Sequence, residues 1–343
     1  MLAVVKARPE LGGIEIREVQ APSIKKSTEV LIKVKTCGIC GTDVHFYEWL
    51  SHSRWITLPR VLGHELAGEV VEVGKDVVTV KPGDRIVTET WGGCGHCYYC
   101  RTGQFNMCLN QQRLGQQVDG GMAEYVAIDQ INLYTIPASL PYDQAAVIEP
   151  VGVAMHALEH CTKNPGDNYV ILGPGPIGLL AGMVAKASGA AKVFITGIGI
   201  DEKRLEIAAR LGLTPINVEK ENAEELIKDM TNGLGADIAI DTSGGANSLS
   251  QALRFVRLAG QIVLVGLAPA AEFDYTQIVR REAKVFGTWR RQPITWIRAI
   301  RLVANGVIDV KPLISHVMPM QQAEEAFKLL HERKGMKIIL TAN

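Results

Sequence analysis

The sequence predicts an α/β protein in two parts, one β-rich and one a doubly wound parallel sheet, and three observations point there. At 343 residues the chain exceeds the roughly 250 to 300 at which a single core stops growing. Residues 1 to 90 carry short alternating runs, 29–35 and 68–73 among them, separated by turn signals such as Gly12-Gly13, Ala21-Pro22 and Lys81-Pro82-Gly83-Asp84. From about Pro141 the texture changes to apolar strand, glycine, amphipathic helix, the rhythm of crossover units in a parallel sheet.

Element by element, the first part reads as strands with irregular connections up to residue 90. A loop rich in Gly, Cys and Tyr follows at 91–109, and a strand returns at 123–128 after the Gly120-Gly121 turn. The second part opens with a helix over 143–160. Strands then fall at 169–172, 192–196, 236–241 and 261–265, with helices at 177–188, 203–211, 223–230 and 248–257. A strand at 283–288 closes the sheet, and the tail holds a helix at 294–303, an extended piece, a helix at 321–331 and a last strand at 337–341.

Thirty-six basic and 36 acidic residues cancel, which removes the electrostatic case for nucleic acid or an anionic membrane. The apolar start, Met1 to Val5, is broken by Lys6 and Arg8 and is too short for a secretory signal. The apolar stretch at 177–187 is interrupted by glycines and falls short of the roughly 18 residues a membrane span needs. A soluble cytoplasmic protein is expected.

Seven cysteines is an odd number, and four of them lie within fifteen positions, which argues for metal over disulfides. Cys94, Cys97, Cys100 and Cys108 are separated by two, two and seven residues. Four thiolates close a tetrahedral zinc and leave no position for chemistry, so this site is structural. A bacterial ferredoxin spacing would end in three residues and a proline, absent here. His96 reads as a bystander. A second, open set is suggested by Gly63-His64-Glu65, which leads into a Val-rich strand, together with Cys40 upstream in Cys37-Gly38-Ile39-Cys40-Gly41-Thr42-Asp43-Val44-His45. One sulfur, one nitrogen and one carboxylate suit zinc and leave a position for water or substrate; the alternative is a surface His-Glu pair beside two core cysteines. Cys37 and Cys161 read as buried thiols, His156 and His160 as structural, and Met318-Pro319-Met320 as a strand-to-loop junction.

After the strand at 169–172 comes Gly173-Pro174-Gly175-Pro176-Ile177-Gly178, and then a helix. Gly173 permits the tight turn, Gly175 lets a pyrophosphate approach the backbone, and Gly178 lets helix and sheet pack closely. The helix N-terminus offers amide donors to the phosphates. The acidic residue that usually ends the next strand is replaced by Gly197, with Asp201 four residues on. Asp201 folding back to the ribose favours NAD; space at Gly197 with Lys203 or Arg204 favours NADP. The reading leans to NAD, with NADP as the alternative.

Cys40-Gly41-Thr42-Asp43-Val44-His45, Gly63-His64-Glu65, the four-cysteine loop, Glu149-Pro150-Val151-Gly152-Val153-Ala154-Met155-His156 and the glycine loop follow one another in an order that resembles the zinc-dependent medium-chain dehydrogenases. The resemblance spans essentially the whole chain and is closest to the sorbitol (polyol) and L-threonine dehydrogenase branch. It implies a GroES-like catalytic domain at 1–150, with its zinc loop at 91–109, a Rossmann NAD(P)-binding domain at 151–290, and a return to the catalytic domain at 291–343. It also implies two zincs per subunit and a homo-oligomer, dimer or tetramer.

Carried over by position, the resemblance implies Cys40, His64 and Glu65 as catalytic-zinc ligands. Glu149 is implied as a fourth ligand or proton-transfer group, although a plain helix-start carboxylate is the alternative. Thr42 and His45 match a proton relay. Gly173, Gly175, Pro176, Ile177, Gly178, Asp201, Arg204, Val265, Gly266, Leu267, Thr288 and Trp289 fall where relatives hold the cofactor, and Arg290 beside them is a substrate candidate. His52 and Trp55 are further pocket candidates. The implied reaction is hydride transfer between a secondary alcohol (a polyol, a sugar-derived alcohol or an L-threonine-like substrate) and NAD(P), with zinc stabilising the alkoxide. The competing readings are a cofactor-binding relative without activity, regulatory or structural, and a zinc-free reductase. Intact Cys40, His64 and Glu65 argue against both.

Overall fold

A computed structural model describes residues 1–50, 55–268 and 273–342; His52 lies outside them. The chain divides into two compact units, Met1–Glu149 with Gln292–Asn343, and Pro150–Arg291.

The first unit is built on a seven-stranded sheet. Its spatial order is Ile314–Pro319, Lys337–Thr341, Glu29–Gly38, Glu65–Val73, Arg85–Thr88 and Leu133–Thr135, with Tyr125–Asp129 also paired to Glu29–Gly38. Along Glu29–Gly38 every second residue is buried until the last three, which are all buried. There Gly38 pairs with Glu65 on one side and with Ile339 on the other. The chain's last strand therefore lies against the end of the strand that leads to Cys40. Val30, Ile32, Phe46, Leu66, Ile86, Phe327 and Ile338 form the core beneath.

The all-β reading of residues 1 to 90 needs one correction, because Gly41–Glu48 is a helix. Its sequence has no continuous apolar stripe, and only Asp43 and Phe46 are buried. The ends hold it instead: the Cys40 N–H donates to Asp43 Oδ2 at 3.0 Å, and Trp49 terminates it in the left-handed conformation at φ 54°. Within 91–109, Tyr98–Arg101 is a helical turn and Phe105–Met107 a 3₁₀ turn, so the segment is not wholly loop. The helix expected over 143–160 is two helices, Tyr142–Ala145 and Ile148–Glu159. Pro150 is the reason: its missing N–H and its ring exclude a continuous helix through Ala146, but both are harmless in a first turn.

The second unit is a parallel sheet in the order Thr214–Asn217, Lys192–Gly197, Asn168–Leu172, Ala236–Asp241, Val256–Leu264 and Lys284–Gly287. This is doubly wound, with the order reversing beside Asn168–Leu172. Helices Pro176–Ala187, Glu202–Arg210, Ala223–Asp229 and Ser248–Phe255 connect the strands. The fifth strand starts at Val256 rather than 261, and the helix before it ends two residues early. Ala236 pairs with Val256 but Ile238 with Gln261, so the intervening residues bulge, Ala259 at φ 54° among them. Other boundaries shift by one to three residues, within ordinary fraying.

Candidate active site

Cys40 stands immediately before the helix Gly41–Glu48, and Glu65 opens the strand Glu65–Val73. Gly63, at φ 93°, makes the turn that brings His64 between them, and a Cβ there would run into the Cys37 sulfur and Met122. The donor atoms of Cys40, His64 and Glu65 all lie within 4.8 Å of one another. His64 and Glu65 are 4% and 1% exposed, so the surface His-Glu alternative does not hold.

The pocket collects negative charge. Asp43 is fully buried, and its Oδ1 lies 3.7 Å from His64 Nδ1; among the described residues neither atom has a hydrogen-bond partner. Burial alone would push the His64 imidazolium down, but Asp43, the Cys40 sulfur and Glu149 raise its pKa to about 10. Burial raises Asp43 as well. Lys337 is buried in the same pocket, and its ammonium donates to both Glu65 oxygens at 2.9 and 2.7 Å and to the Ile39 carbonyl at 3.1 Å. Burial pushes the Glu65 carboxyl up, Lys337 opposes this, and nearby Glu149 adds to it. A buried site with this surplus of anionic groups and an orphaned imidazole nitrogen facing a carboxylate fits a divalent cation, whose histidine ligands donate their second nitrogen to such a partner. Glu149 is outside the 4.8 Å cluster but within its field, and its Oε1 accepts the Thr90 hydroxyl at 3.4 Å. Thr42 and His45 are half-buried, three residues apart on the helix that starts beside Cys40.

The Cys94, Cys97, Cys100 and Cys108 sulfurs also lie within 4.8 Å of one another, and none is in a disulfide. The N–H groups of Cys94 and Asn110 point at the Cys108 sulfur at 3.3 and 3.4 Å, and that of Cys97 at Cys94 at 3.4 Å. Converging N–H donors are what thiolates bound to a metal require. His96 is taken up by the Cys94 carbonyl at 2.8 Å and contributes no donor to the cluster.

In the second unit, the candidate cofactor residues gather at the carboxyl ends of the parallel strands, where such sheets bind ligands. Gly173, at φ 97°, donates to Thr196 O at 3.0 Å, and Gly175 caps the helix Pro176–Ala187. A Cβ on Gly178 would strike the Gly173 carbonyl. Val265 and Gly266 donate to Asp241 O at 2.9 and 3.0 Å, and Thr288 to Leu264 O at 3.1 Å. Leu267 and Trp289 are exposed, with Arg290 over the Trp289 ring at 5.3 Å. Asp201 is buried and committed locally: Oδ2 accepts Ile198 N–H at 3.4 Å and Oδ1 lies 3.6 Å from Arg204.

Residues 26–138 match the family described as alcohol dehydrogenase GroES-like domain, and residues 176–305 the family described as zinc-binding dehydrogenase. The sorbitol dehydrogenase of Halalkalibacterium halodurans is 36% identical over 345 residues, 99% of each chain. The chain belongs to the zinc-dependent medium-chain dehydrogenases. Within this family it is 39% identical to the L-threonine 3-dehydrogenase of Bacillus licheniformis, over 99% of this chain and 98% of that one. The structure of an alcohol dehydrogenase from Thermus sp. ATN1 superposes with a TM-score of 0.92 at 31% identity, covering both chains fully. As a medium-chain dehydrogenase the protein is an oxidoreductase of alcohols or polyols.

Thr90 and Lys337 are parts of the site that lie outside the motifs, and Asp43 lies inside one with no role read for it from the sequence. Lys337 leaves one trace, a cation that opens a strand whose next three residues are apolar.

Proposed function

We propose that Cys40, His64 and Glu65 hold a catalytic zinc, with Glu149 as fourth donor or proton-transfer group. Cys94, Cys97, Cys100 and Cys108 hold a second, structural zinc. The convergence of three different donor types on one buried point carries this reading. The reaction is oxidation of a secondary alcohol, of polyol or L-threonine type, to the ketone with release of one proton and reduction of NAD, NADP being the alternative.

Held by Cys40, His64 and Glu65, zinc would supply Lewis-acid stabilisation of alkoxide charge, and a nicotinamide cofactor at the glycine loop would supply the hydride acceptor. Thr42 accepts the substrate hydroxyl's proton into a relay and His45 passes it to solvent, a task suited to an imidazole. Asp43 orients His64, Lys337 fixes the Glu65 carboxylate, and Thr90 orients Glu149. The loop Gly173 to Gly178 and the helix it opens receive the pyrophosphate. Arg204, Val265, Gly266, Leu267, Thr288 and Trp289 flank the cofactor, and Arg290 serves the substrate. Asp201 serves the ribose by turning from its local contacts with Ile198 N–H and Arg204. A homo-oligomer, dimer or tetramer, working in the cytoplasm completes the proposal.

Metal analysis is expected to give about two zincs per chain and about one after Cys40→Ser; a variant that keeps both overturns the site assignment. Asp201→Ala should weaken NAD selectively in a fluorescence titration, and unchanged discrimination between NAD and NADP removes that role.

A further inference from the structure

We propose that Arg113 is an anion-binding residue of the substrate pocket, and that the substrate is an alcohol carrying a carboxylate or phosphate group. This rests on the reading of Cys40, His64 and Glu65 as the catalytic metal site.

The Arg113 guanidinium lies over two indoles, 4.8 Å from the Trp55 ring centre and 4.9 Å from that of Trp91. It is half-buried, and burial lowers its pKa. Among the described residues no carboxylate lies within ion-pair distance of it. Flanking rings stabilise a cation and strip water from its faces. The N–H edge, a fork shaped for carboxylate or phosphate oxygens, is left without a charged partner. A cation half removed from water without a counter-ion is an unfavourable arrangement that an anionic ligand relieves.

Its place in the fold ties this cation to the metal pocket. Arg113 bridges to Trp91 backbone to backbone, and Leu114 N–H donates to Thr90 O at 3.2 Å. The Thr90 hydroxyl donates to Glu149. Two residues after Arg113, Gly115 packs directly on the backbone of Gly63, next to His64. On the other side Trp55 meets Phe46 edge-on at 5.3 Å, and Phe46 follows His45. Arg113, Trp55 and Trp91 are thus each tied by a contact of their own or of a chain neighbour to the segments that carry the relay, His64 and Glu149, which is why we place them in one substrate pocket. The plain alternative is that the two rings only staple the 113–118 segment. A staple needs no guanidinium edge left open, and it predicts no dependence on substrate charge.

The test compares a hexitol, the corresponding hexonate and the hexitol phosphate with zinc-loaded enzyme, by kcat/KM with each cofactor and by calorimetric binding without cofactor. One or both anions are expected to exceed the hexitol by about 10- to 100-fold, the contribution of a charge-assisted pair. Arg113→Gln should collapse that ratio through KM, and Arg113→Lys should restore part of it and confirm that the wall still folds. The better of the two anions identifies carboxylate or phosphate. Equal use of hexitol and anions, or a ratio unchanged in Arg113→Gln, overturns the proposal and leaves the dehydrogenase reading intact. Anion binding that depends on Arg113 with no oxidation of any alcohol sinks the dehydrogenase reading instead and leaves the anion site standing.

Discussion

Two metal-capable clusters sit in one unit of this chain and are built in opposite ways. The four-cysteine lobe takes all its donors from fifteen consecutive positions, and backbone N–H groups of the same segment face the sulfurs. The Cys40 pocket draws on a helix start, a turn and a strand start, then balances them with Lys337 from the far end of the sequence. In the proposed reading the first arrangement would saturate an ion and stiffen the loop that carries it. The second, with three donors, would leave a position open, and its charges are held by buried neighbours outside the donor set. A structural site can be local; a reactive one needs a rigid surround to supply the field.

The largest expected effect comes from removing the balancing cation. In chelator-treated protein Lys337→Met leaves Glu65 buried without a counter-ion, and urea unfolding should show a loss of about 3–5 kcal/mol. An equivalent loss from Arg101→Met, which removes an exposed cation of the lobe, would erase the contrast.

Next is a pH effect confined to the pocket. The His64 pKa is raised from 6.5 to about 10, so its contribution in metal-free protein is fully present below 6.5 and is lost as pH climbs through about 10. Chelated protein should weaken over that interval by an amount on the order of a few kcal/mol. Zinc-loaded protein, whose His64 is unprotonated, should show no such decline when the two are unfolded side by side.

Smaller again is Gly38→Ala, which drives a Cβ into the Glu65 carboxylate. Chelator competition should show one of two zincs weakened by about 10- to 100-fold and the other unmoved. Least is Cys100→Ser: trypsin should cut at exposed Arg101, while kcat of the zinc-reconstituted enzyme stays within about twofold. A collapse of kcat there would mean that the two clusters are not independent.

The lobe and the glycine loop were legible because their chemistry is local: spacing alone puts four sulfurs on one short segment, and glycines mark a turn between strand and helix. Cys40, His64 and Glu65 were legible by resemblance more than by pattern, since only the fold closes the distance between residue 40 and residue 64. The helix Gly41–Glu48 was hidden because capping, which leaves no periodic trace, sustains it. The two-helix break at Ala146 was readable from Pro150 but was masked by a continuous apolar spacing. Lys337 was invisible because nothing in a linear reading links it to Glu65, 272 residues earlier.

That separation has a consequence during synthesis. With Glu65 and Lys337 272 residues apart, a ribosome moving at about 5–20 residues per second exposes the acid roughly 14 to 54 s before its ammonium partner is made. Throughout that interval the emerging β-rich module carries Glu65 without the ammonium that the finished fold sets beside it. Its final closure is thereby tied to the arrival of the last strand, whatever the early strands have already achieved.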